Sequence, residues 1–171
     1  MLVVGCAWLR PPSEEKNLTV SSAPRSEGKE GIRLSQGTKL LIVPFTAGSA
    51  VEATEELDKI ALMMVKGIAE TVAESGKSVE IVDGEQANKV DFILRGHVTE
   101  IEETGGGLSR WWGKPQQKIL GVEVALVDYK TNRVVAHFVQ QKESAQPNVN
   151  YRTLGLELGR EIGQSLVSKM N

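Results

Sequence analysis

Hydrophobic residues are concentrated in one short run, over residues 39–45. The run reads Lys-Leu-Leu-Ile-Val-Pro-Phe, and its large apolar side chains do not alternate with polar ones. A strand with both faces covered has this pattern, whereas a half-exposed strand alternates. The run therefore predicts a central buried strand around which the other elements are arranged.

A long helical pattern follows over residues 49–76. Apolar residues recur there with the spacing of one helical face: Leu57, Ile60, Ala61, Met64, Ile68 and Val72. Ser49 and Glu52 have the spacing of a capping box, which predicts the start of the helix. Gly76 predicts its end, because the residue after a helix often adopts a left-handed conformation.

The rest of the pattern predicts four more strands and two more helices. Strands are expected at residues 77–83, 90–103, 117–129 and 133–141, a short helix after Asp83, and a final helix at 151–170. The predicted fold class is therefore α/β (α+β), with a single mixed sheet of about five strands and two long helices. The expected order is strand, helix, strand, helix, three strands and helix.

Alternation in the last three strands predicts one sheet face against the helices and one largely solvated face. In the final strand Val134, Ala136 and Phe138 are expected to point inward. Asn132, in the turn before it, suits a position with positive φ. His97 and His137 are expected on the same outer face, more as solvated residues than as ligands.

Glycine recurs every fourth residue in the final helix, at Gly155, Gly159 and Gly163. Each glycine costs about 1 kcal/mol relative to alanine in a helix interior. The spacing therefore indicates that something packs very close to the helix backbone. Two interpretations are open, a contact between protomers or packing on this domain's own sheet or first helix, and we favour the second.

The composition is that of an ordinary globular domain. The chain has 171 residues, with 40% hydrophobic and 25% charged residues. Its net charge of −2 argues against a general nucleic-acid binder, which needs a clustered basic surface. A single cysteine excludes an internal disulfide, and two histidines without cysteine partners argue against a zinc cluster. No metal or cofactor is predicted.

The first residues resemble a lipidation signal. They read Met-Leu-Val-Val-Gly and end at Cys6, an order similar to the lipobox of bacterial lipoproteins, in which the cysteine is lipidated. A signal peptide also needs a charged start and an apolar core of roughly 7–15 residues. Only Leu2 to Val4 precede Gly5. Either the start is assigned too late and the lipobox is truncated, or the match is accidental.

A polar segment separates Cys6 from the predicted domain. Residues 10–37 contain prolines, serines, glycines and charges of both signs without a sustained period, and cannot bury enough apolar surface to offset the entropy of ordering. We interpret residues 1–37 as a truncated lipobox and flexible tether, and residues 38–171 as an α/β envelope domain. By family analogy, Ala7 after Cys6 favours the periplasmic side of the outer membrane.

The segment 104–115 is the most unusual in the chain. Consecutive glycines and a proline argue against regular structure, yet the segment contains two tryptophans. One interpretation is a partner-binding or bilayer-contacting tip formed by Arg110, Trp111, Trp112 and Lys114. The other is that Trp111 or Trp112 folds back over an exposed end of the core.

The sequence contains no recognisable catalytic motif. It has no Gly-x-Ser-x-Gly, no His-Glu-x-x-His and no paired cysteines. Its acidic residues are scattered at helical-surface spacing. The prediction is therefore a protein that is not an enzyme.

The order of elements resembles a group of bacterial envelope domains. The resemblance rests on residues 40–45, 81–83 and 91–96 and on the hairpin 124–135, whose turn has Asn132 where glycine is usual. Similar patterns occur in the N-terminal domain of the Tol-system β-propeller protein, the curli-secretion lipoprotein and the penicillin-binding-protein activator lipoprotein. Uncharacterised lipoprotein families share this layout.

The resemblance implies a non-enzymatic cell-envelope lipoprotein that binds an envelope protein or helps to assemble a complex. It implies a membrane contact through a lipid anchor at Cys6 and no nucleic-acid partner. A self-associating homo-oligomer of the envelope is the alternative function. A hydrolytic enzyme is the less favoured third hypothesis.

Overall fold

The computed structural model describes residues 37–76, 79–82, 90–104, 117–146 and 148–169. The elements are β1 (Thr38–Ile42), β2 (Thr46–Ala47), α1 (Glu55–Glu74), β3 (Val79–Val82), β4 (Phe92–Thr104), β5 (Gln117–Asp128), β6 (Arg133–Ser144) and α2 (Tyr151–Lys169). This confirms the predicted α/β (α+β) class with one mixed sheet and two long helices. The short helix predicted after Asp83 lies outside the described residues.

The strands form one sheet in the order β3-β1-β4-β5-β6, with β2 paired to β4. β1 runs parallel to both β3 and β4, and β4, β5 and β6 form an antiparallel meander. β1 is an interior strand, flanked by β3 and β4, and Leu40, Leu41 and Ile42 are each at most 9% exposed. The prediction of a buried strand is therefore confirmed, but the central strand of the sheet is β4. β1 ends before Pro44, which has no N–H to donate to a ladder.

Both helices pack on the same face of the sheet. α2 contacts β5 and β6, and α1 contacts β2 and β3. The inward side chains of the strands form one core with the apolar stripes of the helices. The inward residues of β5 are all fully buried, as predicted: Leu120, Val122, Val124 and Leu126. Neither helix in the described part of the chain is long and apolar enough to cross a membrane.

Helix α1 begins later than the sequence pattern predicts, and the prediction of Ser49 as its cap is wrong. The N-cap is Thr54, whose hydroxyl accepts a hydrogen bond from the backbone N–H of Leu57 at 3.2 Å. The chain is still attached to the sheet at Gly48, which donates to the Val98 carbonyl at 2.8 Å. The helix therefore starts only after the chain has left β2. Gly76 follows its end with φ +66°, as predicted.

The prediction that Val134 points inward is also wrong. Ala136 and Phe138 are buried, whereas Val134 is 55% exposed. The register between β5 and β6 shifts between Leu126 and Val127, which leaves one extra residue in β6. A bulge of this kind moves the preceding side chain to the opposite face. Asn132, in the turn, has φ +54° as expected.

The glycines of α2 lie against the backbone of α1. An ideal β carbon on Gly159 would be 2.8 Å from Met64 Cα, and one on Gly155 would be 3.0 Å from the Ile60 carbonyl oxygen. On the facing side, a β carbon on Gly67 would be 2.9 Å from the Arg160 nitrogen. Real β carbons essentially never approach closer than 3.0 Å. The interpretation of the glycine spacing as an intramolecular contact is confirmed, and a contact between protomers through this stripe is excluded.

We predict that Gly159→Ala destabilises the domain by about 2 kcal/mol or more, because the new methyl group forces the helices apart. Helix propensity alone would give the opposite sign, by about 1 kcal/mol. Urea unfolding of the variant measures the change. Gln164→Ala, at an exposed position of the same helix, is the control and should leave the free energy of unfolding nearly unchanged. An equally stable Gly159→Ala protein would contradict the close contact.

Candidate functional site

The sheet face opposite the helices is not covered by either of them, and we call it the open face. It presents the outward side chains of β4, β5 and β6. Two exposed valines lie among the residues of β6, Val134 and Val139, with 55% and 48% of their surface accessible. One end of this face carries a small hydrophobic cluster. Leu41 and Val90 are buried in it, and Val43 and Ile93 pack against them. The titratable side chains are nearer the middle.

Three titratable side chains from adjacent strands meet on the open face. Glu123 of β5 pairs with His97 of β4 in the ladder, and His137 of β6 lies one row away, opposite Ala125. His97 Nε2 is 3.2 Å from Glu123 Oε2, and His137 Nε2 is 2.7 Å from Glu123 Oε1. The carboxylate is therefore held between the two imidazoles, one at each oxygen. The predicted location of both histidines on one outer face is confirmed.

The two imidazoles favour the ionised form of Glu123. The hydrogen bond from His137, aided by the charges of His97 and His137, holds the pKa of Glu123 below its ordinary value of 4.5, although partial burial opposes the shift. An ionised carboxylate only accepts hydrogen bonds. While Glu123 is ionised, its hydrogen bond with His137 therefore has the imidazole Nε2 as the donor.

A cavity of about 480 Å³ lies beside this cluster and opens to solvent. β4, β5 and β6 form one side of it, and the segment joining β1 to β2 forms the other. It is lined by Val43, Pro44, Thr46, Arg95, Gly96, His97, Glu123, Ala125 and His137. Its volume lies in the range of small-ligand pockets, about 300–1,000 Å³. The lining combines an apolar wall with one arginine and the three clustered groups.

The chemistry of the cavity is set by one hydroxyl, two imidazoles, a carboxylate and a guanidinium group among its described lining residues. Thr46 supplies a hydroxyl to the lining, and within the described ranges no hydrogen bond joins it to either imidazole. A nucleophile needs a base within hydrogen-bonding reach. Among the described residues no group of three or more His, Cys, Asp or Glu side chains could hold a metal ion. The two imidazoles engage opposite oxygens of one carboxylate instead.

The site residues predicted from the sequence cannot be compared with this cluster. Cys6, Arg110, Trp111, Trp112 and Lys114 all lie outside the described residues. Their positions relative to the cavity are therefore outside what the structure describes.

Sequence reasoning missed Arg95 and Glu123 as site residues. Both stand at outward positions of their strands, next to the histidine rows. The alternation of side chains along each strand is enough to place Arg95 and Glu123 on the outer face. Their proximity to the two histidines depends on the register of the three strands.

No protein-family model and no curated protein matches this sequence. Solved structures do share its fold. The PelC dodecamer from Paraburkholderia phytofirmans superposes with a TM-score of 0.59 at 15% identity, covering 87% of this chain and 98% of that one. Protein XCC0632 from Xanthomonas campestris has a TM-score of 0.54 at 11% identity, covering 78% of this chain and 87% of that one.

A third structure, lipoprotein GNA1162 from Neisseria meningitidis, has a TM-score of 0.49 at 14% identity, covering 75% of this chain and 98% of that one. At these identities the likeness concerns the fold alone, and it rests on the first two structures. The finer resemblance to the Tol-system, curli-secretion and penicillin-binding-protein activator domains stays a prediction.

We predict that Glu123→Gln loses a pH-dependent part of the stability. Because the folded protein holds the pKa of Glu123 below 4.5, the carboxylate stabilises the fold above that pH, and its contribution is lost as the pH falls through the lowered pKa. Urea unfolding on both sides of pH 4.5 should show wild type and variant converging in acid. Glu52→Gln, at an exposed position with no ion pair within the described ranges, should show no such convergence. A constant difference at every pH would contradict this interpretation.

Proposed function

We propose that the protein is a non-enzymatic, lipid-anchored module of the bacterial cell envelope that binds another envelope protein. The observation behind this proposal is the arrangement of the sheet. One face is filled by the helices, while the open face presents a cavity with charged and apolar side chains, in which no described hydroxyl is hydrogen-bonded to an imidazole. Such a surface suits recognition rather than chemistry.

The envelope location is supported by the N-terminal sequence. Val3, Val4 and Gly5 precede Cys6 in the order of a lipobox, and a polar segment separates Cys6 from the domain. The fold is that of PelC and XCC0632. GNA1162 is named a lipoprotein, but it is too distant in structure to add weight. We further propose the periplasmic side of the outer membrane, based on Ala7 after Cys6.

The partner contact is proposed at Arg110, Trp111, Trp112 and Lys114. Tryptophan and arginine are enriched at interface hot spots, and three consecutive glycines precede these residues in the sequence. The proposed contact consists of two adjacent tryptophans flanked in sequence by the cationic residues Arg110 and Lys114.

Self-association is a second candidate function, favoured by one observation. PelC, which shares the fold, is a dodecamer. In this chain the glycine stripe of α2 is occupied by α1, so an assembly would have to use other surfaces. The two terminal strands of the sheet, β3 and β6, have one edge without a partner strand in the described part of the chain.

We predict that the protein expressed from its native locus is acylated at Cys6 and retains a partner after crosslinking. Cys6→Ser should lose the mass of the acyl chains and release the protein from the membrane fraction. Replacing Trp111 and Trp112 together with alanine should lose the crosslinked partner without unfolding the domain. Intact mass spectrometry, membrane fractionation and circular dichroism measure these results.

The control variant is Trp8→Ala, because this tryptophan lies within residues 1–37, which we interpret as the lipobox and tether. Capture should persist in this variant. An unmodified, soluble wild-type protein would overturn the envelope proposal, and capture that survives loss of Trp111 and Trp112 would overturn the proposed contact.

For self-association, we predict a molar mass several times that of the 18.6 kDa chain in light scattering of the purified protein. A monomer at high protein concentration would exclude this function. Gly159→Ala is not a suitable variant for light scattering, because the substitution disturbs the packing of the two helices.

A further inference from the structure

The cavity on the open face contains a cation that has no partner among the described residues. Within the described ranges, the guanidinium group of Arg95 makes no hydrogen bond and no ion pair, and the side chain is exposed. By contrast, Arg152 and Arg160 each pair with a glutamate of α1. A guanidinium group that lines a cavity and makes no ion pair among the described residues is suited to receive a carboxylate, because its donors match two carboxylate oxygens.

The register brings Arg95 into one row with a histidine. Arg95 pairs with Ala125 in the β4–β5 ladder, and Ala125 pairs with His137 in the β5–β6 ladder. The small side chain of Ala125 lies between two long ones and forms part of the cavity lining. Arg95 and His137 therefore stand on either side of a depression about the width of three strands, or about 10 Å from edge to edge.

Glu123 also lines the cavity, and an uncompensated carboxylate there would repel an acidic ligand. Its two oxygens, however, are both engaged by imidazole Nε2 atoms, at 2.7 and 3.2 Å. The histidines thus reduce the field of Glu123 in the cavity. Glu123 in turn keeps the two rings in place, so its role is that of a positioning residue.

Building on the proposed function, we propose that this cavity binds a glutamate or aspartate side chain presented by an acidic segment of the protein partner. Arg95 would receive the carboxylate in a bidentate contact, with His137 opposite it. Val43 and Pro44 would cover the methylene groups of the inserted side chain. The complementary charge is the reason for an acidic occupant.

The surroundings favour a polypeptide as the source of the carboxylate. Val139 is 48% exposed on β6 and lies opposite Glu123 in the ladder, where it can cover apolar parts of a partner chain. The described lining contains no Trp, Tyr or Phe, the side chains on which sugar rings usually stack. Charged and apolar side chains next to one another are typical of protein interfaces.

The test is a titration of the full chain, labelled with ¹⁵N, with a short capped oligo-glutamate peptide. Saturable shifts of the Arg95 side-chain resonance and of the His97 and His137 rings are expected.

Arg95→Gln should weaken binding about tenfold or more, since a hydrogen-bonded ion pair is lost. Ala125→Leu, which fills the depression, should abolish binding. Arg133→Gln is the control, because Arg133 is exposed on β6 outside the cavity, and its affinity should equal that of wild type.

Three outcomes would overturn the proposal: absence of saturable shifts, equal binding of an oligo-glutamine peptide, or an unchanged affinity in Arg95→Gln. Preference for oligogalacturonate over the peptide would reassign the cavity to acidic sugars and would overturn it as well. These results are distinct from the test of the proposed function. If the crosslinked partner persists in Arg95→Gln but is lost with Trp111 and Trp112, the partner-binding function stands and the acidic pocket does not.

Discussion

The backbone contact between α1 and α2 is the constraint on which the rest of the domain depends. Gly67 on one helix and the glycine stripe on the other allow an approach that any β carbon would prevent. The pairs Arg152–Glu56 and Arg160–Glu70 join the exposed sides of the same helices, but exposed ion pairs of this kind contribute little to stability because water screens them. The helices thus form one narrow layer, held mainly by close packing, that covers a single face of the sheet.

Because the helices occupy one face, the outward residues of the meander beyond the small hydrophobic cluster around Leu41 and Val90 are left for other uses. Three adjacent strands then bring Arg95 and His97 of β4 together with Glu123 of β5 and His137 of β6. The rigid sheet sets the positions of the side chains, and the imidazole–carboxylate contacts orient the rings. A recognition site built on strands in this way needs no rearrangement of the backbone to be ready for a ligand.

Most of the fold follows from hydrophobic periodicity, and the errors occur where a tertiary contact overrides a local signal. Ser49 has the residue type of a cap, but β2 still holds the chain there, and Thr54 takes that role. Val134 fits the alternation until the bulge in β6 reverses it. The face of both histidines could be predicted, whereas their contact with Glu123 could not, since it depends on register across three strands. The predictions for Cys6 and the tryptophan segment concern other parts of the chain and stay predictions.

The helix contact also has a kinetic consequence. The turn between β5 and β6 joins neighbouring residues, and such hairpins form in about 1–10 μs. The two helices, by contrast, meet across a large part of the chain, as the separation of 96 residues between Glu56 and Arg152 illustrates. Since closing a long loop costs entropy before any contact is gained, we expect the helices to dock after the rate-limiting step of folding. Interactions formed that late mainly slow unfolding. The glycine contact would then determine how long each folded molecule persists rather than how quickly it forms.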